Sequence, residues 1–250
     1  MSGGAPRVVA LVVPAAGAGT RLGGGTPKAL RLLRGRTLLE HALVSLLDGC
    51  AGAGAGAVDV LVAAPTASEA LADVADVVHR TVSDPGRAVH PRQVHVVPGG
   101  ATRQESVRRA LDALEGDVDA VLVSDAARPL VPAEVVGRVL ARLEDGAVGV
   151  VPVVGVVDTV REVDAAGRAV RLVDRSRLRA VQTPQGFDRT VLVAAHAAAT
   201  ADGVDATDDA ALLERVGTAV EVVDGHPLGL KVTGPLDLRV AEALLDARAR

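Results

Sequence analysis

The two lysines of this 250-residue chain are the first residues whose type suggests chemistry. Among its 27 lysines and arginines only Lys28 and Lys231 are lysines, and the chain has no isoleucine, asparagine, tyrosine or tryptophan, a composition typical of GC-rich coding. Under such coding an exposed lysine is easily replaced by arginine, whereas a site that needs a compact ammonium cannot accept the planar guanidinium group. Both lysines are therefore candidates for a functional role, with chance survival as the alternative.

A loop of small residues leads directly to Lys28. Residues 14–28 read PAAGAGTRLGGGTPK, with five glycines around one arginine. The backbone N–H groups of such a loop can approach a triphosphate closely, and Arg21 and Lys28 add two cations. An ordinary strand-to-helix turn needs only one or two glycines, so the pattern favours phosphate binding over a simple turn.

Two familiar nucleotide motifs do not fit this loop. A Walker A loop requires a Gly-Lys pair followed by serine or threonine, and the chain contains no Gly-Lys pair. Gly17 and Gly19 match the first two glycines of a Rossmann dinucleotide fingerprint, but Leu22 occupies the third position and no acidic residue ends the second apolar run. The sequence therefore disfavours an NTP hydrolase and a dehydrogenase.

Polar residues also follow two later apolar runs, as GGATRQES at 99–106 and SDAAR at 124–128. Because the carboxyl ends of parallel strands meet at one edge of a sheet, we expect these stretches and the 14–28 loop to converge on one site. Histidines contribute no recognisable metal-ligand spacing, so we interpret all six as structural or solvated: His41, His79, His90, His95, His196 and His226.

The elements that must position these residues follow an alternating pattern of apolar runs and helical stretches. The runs predicted as buried parallel strands are Val8–Val13, Val58–Ala63, Val94–Val97, Ala120–Val123 and Ala147–Val154. Thr37 and Glu40 have the spacing of a capping box at the start of the first long helix, and further helices are predicted from Ser68, Arg103 and Pro132. The pattern predicts an α/β fold with a mostly parallel sheet flanked by helices.

Two segments interrupt the alternation. Residues 51–57 (AGAGAGA) cannot pack and are predicted to form a flexible loop. Residues 157–173 read as two alternating strands around an Asp-Ala-Ala-Gly turn, which predicts an inserted β-hairpin. After it we predict a helix from Asp188, a helix over Thr207–Val216, strands near Ala219 and Leu230, and a last helix from Pro235.

Composition restricts the class of protein. Hydrophobic residues make up 49% of the chain, enough for a full core, and a net charge of −4 lacks the basic excess of non-specific nucleic-acid binding. The length allows one large or two small domains, and no stretch reaches the roughly 18 apolar residues of a membrane span. Cys50, the only cysteine, excludes an intramolecular disulfide and indicates a reducing compartment, so we expect a cytoplasmic protein without nucleic-acid or membrane partners.

The chain as a whole resembles the 2-C-methyl-D-erythritol 4-phosphate cytidylyltransferases of the non-mevalonate isoprenoid pathway. Motifs appear in that family's order along nearly the whole chain: PAAGAGTRLGGGTPKAL, GGATRQESV, DAARP, VPVVGVVDTV, VDRSRLRAVQTPQGF, ATDDAALLE and LKVTGPLDL. The resemblance implies a Rossmann-like nucleotidyltransferase sheet in a single domain over residues 1–250, with 157–175 as an inserted β-arm that joins a homodimer. It also implies CTP and a polyol phosphate as substrates, with Mg²⁺ bound mainly through the triphosphate.

The resemblance also implies roles for individual residues. Arg21 and Lys28 stabilise the transition state at the α-phosphate, while Arg175 and Lys231 position the phosphate of the second substrate. The remaining expected contacts to CTP are Ala15, Ala16, Gly17, Gly19, Gly100, Ser106 and Asp125, the last beside the ribose and the metal. Arg128, Thr159 and Thr207 are expected to help bind the second substrate, with Thr159 and Arg175 reaching the other subunit from the arm.

Three positions depart from the family pattern. Ser124 stands where histidine is common, Ala101 where an acidic residue can contact cytosine, and Leu228-Gly229 where Asp-Asn often precedes the lysine. Two other functions stay open: a ribitol-5-phosphate cytidylyltransferase with the same mechanism, and a non-catalytic nucleotide-sensing module. Simpler roles stay open for single residues as well, since Asp125 could cap the following helix, Thr207 could be an N-cap and Arg175 could be solvated.

Overall fold

The computed structural model describes residues 8–23 and 25–248. Its strands are β1 Val8–Pro14, β2 Leu32–Leu33, β3 Arg36–Thr37, β4 Ala57–Ala64, β5 Gln93–Pro98, β6 Ala120–Val123, β7 Gly149–Gly155, β8 Val160–Val163, β9 Ala169–Val173, β10 Arg179–Val181, β11 Gln185–Asp188 and β12 Glu221–Asp224. Its α-helices are α1 Leu38–Gly52, α2 Ser68–Val82, α3 Arg103–Asp112, α4 Ala133–Glu144, α5 Arg189–Ala201, α6 Asp209–Arg215 and α7 Pro235–Arg248. Short 3₁₀ turns cover Thr20–Leu22, Lys28–Leu30, Arg175–Arg177 and Pro227–Gly229.

One mixed sheet forms the centre of the described part of the chain. Its strands lie in the order β5-β4-β1-β6-β11-β7-β12, and β10 continues the antiparallel pairing along β7. The strands β5, β4, β1, β6, β7 and β12 run in one direction, and β11 runs against its neighbours β6 and β7. The prediction of a mostly parallel α/β sheet is therefore confirmed.

Apolar packing on both faces explains why the central strands read as continuous apolar runs. Leu11 and Val60 face a core that α1, α2 and α4 cover, whereas Val12 and Leu61 face a second core that α3, α5 and α6 cover. A strand buried on both faces has no polar side to alternate with. The N-cap half of the predicted capping box is confirmed, because the Thr37 hydroxyl accepts a hydrogen bond from the Glu40 N–H at the start of α1, while the Glu40 carboxylate pairs with Arg36.

The order of the strands creates a crevice at one edge of the sheet. From β1 the chain builds outward through β4 and β5, and then crosses back to place β6 on the other side of β1. Val12 pairs in register with Leu61 on one side and Val123 on the other, so the strands end level with one another. Ligands of such sheets bind at this reversal of strand order, outside the carboxyl ends of the strands.

Several predicted boundaries are wrong. The AGAGAGA loop shrinks to residues 53–56, because α1 continues to Gly52 and β4 begins at Ala57. Packing extends the helix, since Cys50 is buried and Gly49 lies against Val136, where a Cβ would not fit. No strand forms at Leu230, which follows a 3₁₀ turn, and the strand predicted near Ala219 begins at Glu221.

The inserted hairpin is present as β8 and β9, which pair with each other and not with the main sheet. Asp164 shapes its turn by accepting hydrogen bonds from the N–H groups of Ala166 and Arg168. Apolar side chains on the hairpin, including Val163 and Leu172, are mostly exposed. We call residues 157–175 the arm. Within the described ranges, no helix is both long and apolar enough to cross a membrane.

Candidate active site

A cleft of about 240 Å³ opens where the loops after β1, β5 and β6 meet, and we call it the central cleft. Its lining consists of Pro14, Ala15, Ala16, Gly17, Lys28, Ala29, Gly100, Ala101, Thr102, Arg103, Ser106, Asp125, Ala126, Ala127 and Lys231. The expected convergence of three strand ends is therefore confirmed. Both lysines of the chain lie in this one cleft, although they are far apart in sequence.

The loop after β1 folds back on itself to present Lys28. The Lys28 N–H donates to the carbonyl of Gly17, and Ala15 N–H donates to Ala63 on the neighbouring strand β4. Gly19 has a positive φ of 65° and packs directly on the backbone and Cβ of Lys28. This glycine lies behind the lysine and does not line the cleft. The loop therefore fixes where the lysine side chain starts.

The Lys28 ammonium is held in an environment that disfavours its charge. Burial, together with the neighbouring charges of Lys231 and Arg21, lowers the pKa of Lys28 from 10.5 to about 8, while Asp125 acts in the opposite direction. Its Nζ makes no hydrogen bond to any residue that the structure describes. A half-buried cation without a hydrogen-bonding partner is poised to bind an anion.

Side chains from α3 stabilise the loop after β5 through hydrogen bonds. The Ser106 hydroxyl accepts a hydrogen bond from Gly100 N–H at 3.0 Å and donates one to the Thr102 carbonyl. Glu105 accepts a hydrogen bond from Ala101 N–H at 2.8 Å and pairs with Arg109, whose guanidinium donates to the Gly99 carbonyl. Ser106 thus lines the cleft, as expected, but its hydroxyl is used in hydrogen bonds that stabilise the loop.

Three cations surround the carboxylate of Asp125 at the end of β6. Lys231 Nζ lies 2.8 Å from Oδ2, Arg103 Nε lies 3.3 Å from Oδ1, and Arg128 Nε lies 3.8 Å from Oδ2. Burial alone would raise the pKa of Asp125, but the charges of Arg103 and Lys231 outweigh it and hold the pKa below its ordinary value. Asp125 does not cap a helix, because the next helix begins at Ala133 after Pro132.

Sequence reasoning missed a chain of buried polar groups behind this carboxylate. Arg103 donates through Nη1 to Asp209 at 2.7 Å, and the other oxygen of Asp209 lies 3.0 Å from His196 Nε2. Arg103 occupies the first position of α3, where a cation opposes the helix dipole, and that anomaly was a signal of an anionic partner. The pairing of Asp209 with His196 had no local signal.

The remaining predicted residues lie outside the lining of the central cleft. Arg21 sits exposed on the adjacent 3₁₀ turn, while Arg128 donates to the carbonyls of Gly229 and Val181. Thr207 is exposed and is not a cap, since Asp208 caps α6 by accepting from Ala211 N–H and the helix ends at Arg215.

The two predicted residues of the arm, Thr159 and Arg175, are exposed. Arg175 lines a separate open cleft together with Gly155, Val156, Val157, Ser176 and Arg179. Within one chain the structure therefore does not bring Arg175 together with Lys28 and Lys231.

The residues of the central cleft suit a magnesium ion that is bound mainly by a triphosphate. The described residues contain no group of three or more acidic, histidine or cysteine side chains that could hold a metal. Asp125 is the one carboxylate in the lining, and Mg²⁺ commonly uses one or two carboxylates together with substrate phosphates. The residues present therefore fit an ion that arrives with a triphosphate, and not a resident ion held by protein ligands.

Comparisons with known proteins agree on one family. The sequence profile of 2-C-methyl-D-erythritol 4-phosphate cytidylyltransferase matches residues 9–247. The protein of that name from Frankia casuarinae is 48% identical over 96% of this chain and 82% of its own length. The protein of that name from Saccharopolyspora erythraea is 49% identical over 95% of this chain and 99% of its own length. The crystal structure of the protein of that name from Thermus thermophilus superposes with a TM-score of 0.70 at 36% identity, covering 94% of this chain and 98% of that one.

Proposed function

This chain belongs to the 2-C-methyl-D-erythritol 4-phosphate cytidylyltransferase family, and from that premise we propose that the central cleft is its active site. The reaction transfers the cytidylyl group of CTP to 2-C-methyl-D-erythritol 4-phosphate. One observation carries the assignment of the site. Lys28 and Lys231, the two lysines of the chain, line the same cleft as the small residues Ala15, Ala16 and Gly17.

The chemistry of the reaction explains why this site holds cations and needs no strong base. An oxygen of the substrate phosphate attacks the α-phosphorus of CTP, a new P–O bond forms, and the bond to the leaving pyrophosphate breaks. A phosphate monoester is already anionic near neutral pH, so no group has to remove a proton from it. The main obstacle is bringing two anions together, which positioning and charge neutralisation overcome.

In this proposal Lys28 and Arg21 neutralise the charge that develops around the α-phosphate and the leaving pyrophosphate. The free ammonium of Lys28 supports its part, and Arg21, on a 3₁₀ turn of the same loop, contributes to lowering the pKa of Lys28. The cytidine is held by backbone groups of Ala15, Ala16 and Gly17 and by the loop at Gly100 that Ser106 braces.

In this proposal the part of the central cleft around Lys231 and Asp125 binds the second substrate. Lys231 is the ammonium nearest to Asp125 and is half-exposed, so it is free to exchange its carboxylate partner for a phosphate. Arg128 and Thr207 lie outside the lining of the cleft, and in this proposal they contact the part of the second substrate that extends beyond it. Mg²⁺ bound to the triphosphate, with Asp125 as its protein ligand, would supply further neutralisation of the phosphate charges.

We also propose that the arm joins two copies of the chain and delivers Thr159 and Arg175 to the partner's cleft. Val157, Val163 and Leu172 expose apolar surface on the arm, which a second copy would cover. Within one chain Arg175 does not line the central cleft, so a contribution to catalysis requires a partner. Because Cys50 is the only cysteine and is buried as a free thiol, we place the enzyme in the reducing cytoplasm.

Pyrophosphate release tests the proposed function directly. Purified protein is incubated with CTP, Mg²⁺ and either methylerythritol phosphate or ribitol 5-phosphate, and we expect release to depend on the first and to be at least about 100-fold faster with it. Lys28→Ala and Arg21→Ala should each lower turnover about 100-fold or more with the fold intact. Near-normal turnover in Lys28→Ala would remove the central cleft from consideration as the active site, and near-normal turnover in Arg21→Ala would contradict the proposed role of Arg21.

A further inference from the structure

His196 is the single polar side chain on the buried face of α5. The other buried residues of that helix are Leu192, Ala195 and Ala199, all apolar. His196 is 2% exposed, and its Nδ1 has no hydrogen-bond partner among the described residues. A buried imidazole nitrogen without a partner costs stability that an apolar side chain would avoid. Something other than packing must therefore account for a histidine at this position.

The other ring nitrogen of His196 faces the carboxylate of Asp209 at 3.0 Å. A carboxylate only accepts hydrogen bonds, so Nε2 carries the proton and donates it. Asp209 is completely buried, and its second oxygen accepts from Arg103 Nη1 at 2.7 Å. Burial by itself would raise the pKa of Asp209, but the hydrogen bond from His196 and the charge of Arg103 keep the pKa below its ordinary value.

Arg103 connects this buried pair to the central cleft. Arg103 is one of the residues that line the cleft, and its guanidinium bridges two carboxylates, with Nε toward Asp125 and Nη1 toward Asp209. The backbone around Asp209 is itself held, because Gln104 bonds to Val204 and Ala206 in the loop before α6. A planar guanidinium with both ends engaged has little freedom to rotate.

We propose that His196 is a positioning residue for the cytidylyl transfer, which fixes Asp209 so that Arg103 and Asp125 keep their orientation in the central cleft. The inference rests on the proposed function of that cleft. His196 touches neither substrate and acts only through the chain His196, Asp209, Arg103, Asp125. Without its N–H, Asp209 has one partner instead of two, and the guanidinium loses its fixed anchor.

The test compares substitutions that keep or remove the donor. His196→Gln places an amide N–H near the position of Nε2 and should keep kcat/KM for CTP within about threefold of the parent value. His196→Leu removes the donor and should lower kcat/KM about tenfold, since small misplacements at an active site are costly. Leu192→Ala, one turn earlier on the same face of α5, is the matched control, because it weakens packing without removing a hydrogen bond to Asp209. Activities are divided by the folded fraction measured by circular dichroism.

A double-substitution cycle then shows whether His196 acts through Arg103. In an Arg103→Ala background, His196→Leu should lower kcat/KM by less than about twofold, because the group it positions is gone. The proposal would be overturned if His196→Leu had the kcat/KM of the parent enzyme, or if His196→Leu and Leu192→Ala lowered kcat/KM equally. It would also be overturned if His196→Leu still lowered kcat/KM tenfold in the Arg103→Ala background. Should His196→Leu not fold, His196→Asn replaces it, since its amide is too short to reach Asp209.

Asp125→Asn separates this inference from the proposed function. A fully active Asp125→Asn enzyme would contradict the role of Asp125 in the central cleft. The cycle between His196 and Arg103 decides the positioning role independently of that result.

Discussion

Gly19 packs so closely on Lys28 that a Cβ at the glycine would lie 2.7 Å from the Cβ of the lysine and 3.1 Å from its Cα. Real Cβ atoms do not approach other atoms to 2.7 Å, so the contact exists only because position 19 has no side chain. Gly19 also has a positive φ, which side chains disfavour. The close contact with Gly19 therefore fixes the position of the Lys28 Cα and Cβ relative to the rest of the cleft.

We expect Gly19→Ala to displace Lys28 and lower kcat about tenfold or more, with a smaller effect on stability. Gly23→Ala is the matched control, because Gly23 lies in the same loop with φ of 71° but a Cβ added there would meet no atom within 4 Å. Backbone strain is greater at Gly23, whose φ of 71° and ψ of 158° are essentially restricted to glycine, than at Gly19, whose φ of 65° and ψ of 33° are left-handed helical. A larger loss of kcat in Gly19→Ala would therefore come from the contact with Lys28. Equal kcat values in the two variants would contradict this role of Gly19.

The lowered pKa of Lys28 predicts an alkaline limb in the pH profile. The protonated ammonium is the active form, and its pKa of about 8 in the free enzyme means that kcat/KM falls as the pH rises through that value. Bound triphosphate favours the charged form, so the corresponding limb of kcat should lie at higher pH. In Lys28→Arg the guanidinium stays charged, and the limb should disappear although the rate is lower. A wild-type kcat/KM that stays constant up to about pH 9.5, well above that pKa, would be inconsistent with this assignment.

Ser106→Ala should raise KM for CTP several-fold and narrow the preference for CTP over UTP, because the Gly100 loop loses its brace. The lost bond leaves the Gly100 N–H without its partner, and a base-recognition site depends on fixed hydrogen-bonding groups. Thr81→Val is a suitable control, since it removes another buried hydroxyl, which bonds to Val77 within α2. Steady-state kinetics with both nucleotides measure the effect, and unchanged selectivity in Ser106→Ala would refute it.

Mixing two inactive variants tests whether the arm acts on a partner. Arg175→Ala and Lys28→Ala homodimers should each be nearly inactive. In a mixed dimer one site collects both defects and the other collects neither, so random exchange should restore about one quarter of wild-type activity, as two-fold symmetry requires. Activity is measured after dissociation and reassociation, with exchange followed by a size tag on one variant. A mixture that exchanges subunits but stays inactive would show that Arg175 does not act in trans.

Local sequence was sufficient to predict the fold class and the glycine-rich loop that leads Lys28 to the cleft. A parallel strand that is buried on both faces needs apolar residues at every position, so strands such as β1 can be recognised as continuous apolar runs. The loop before Lys28 is equally local, because its closely spaced glycines and its lysine lie within residues 14–28. Composition made the two lysines candidates for a functional role, and the structure brings both to the central cleft.

Tertiary packing governs features that local patterns cannot show. Whether a run of small residues such as 49–53 stays helical depends on its neighbours in space, and α1 continues to Gly52 because α4 packs against Gly49. The Ser106 hydroxyl faces the cleft yet is used by Gly100 and Thr102, which only the folded loop reveals.

The amino-acid sequence was enough to predict which strand ends meet at one edge of the sheet and to select both lysines as candidates for binding phosphate. The environment of each charge came from the folded chain: three cations on Asp125, a buried histidine behind Arg103, and a Lys28 ammonium without a hydrogen-bonding partner among the described residues. Charge interactions and desolvation depend on distance in space and on burial, and residues far apart in sequence contribute to both as strongly as neighbours do.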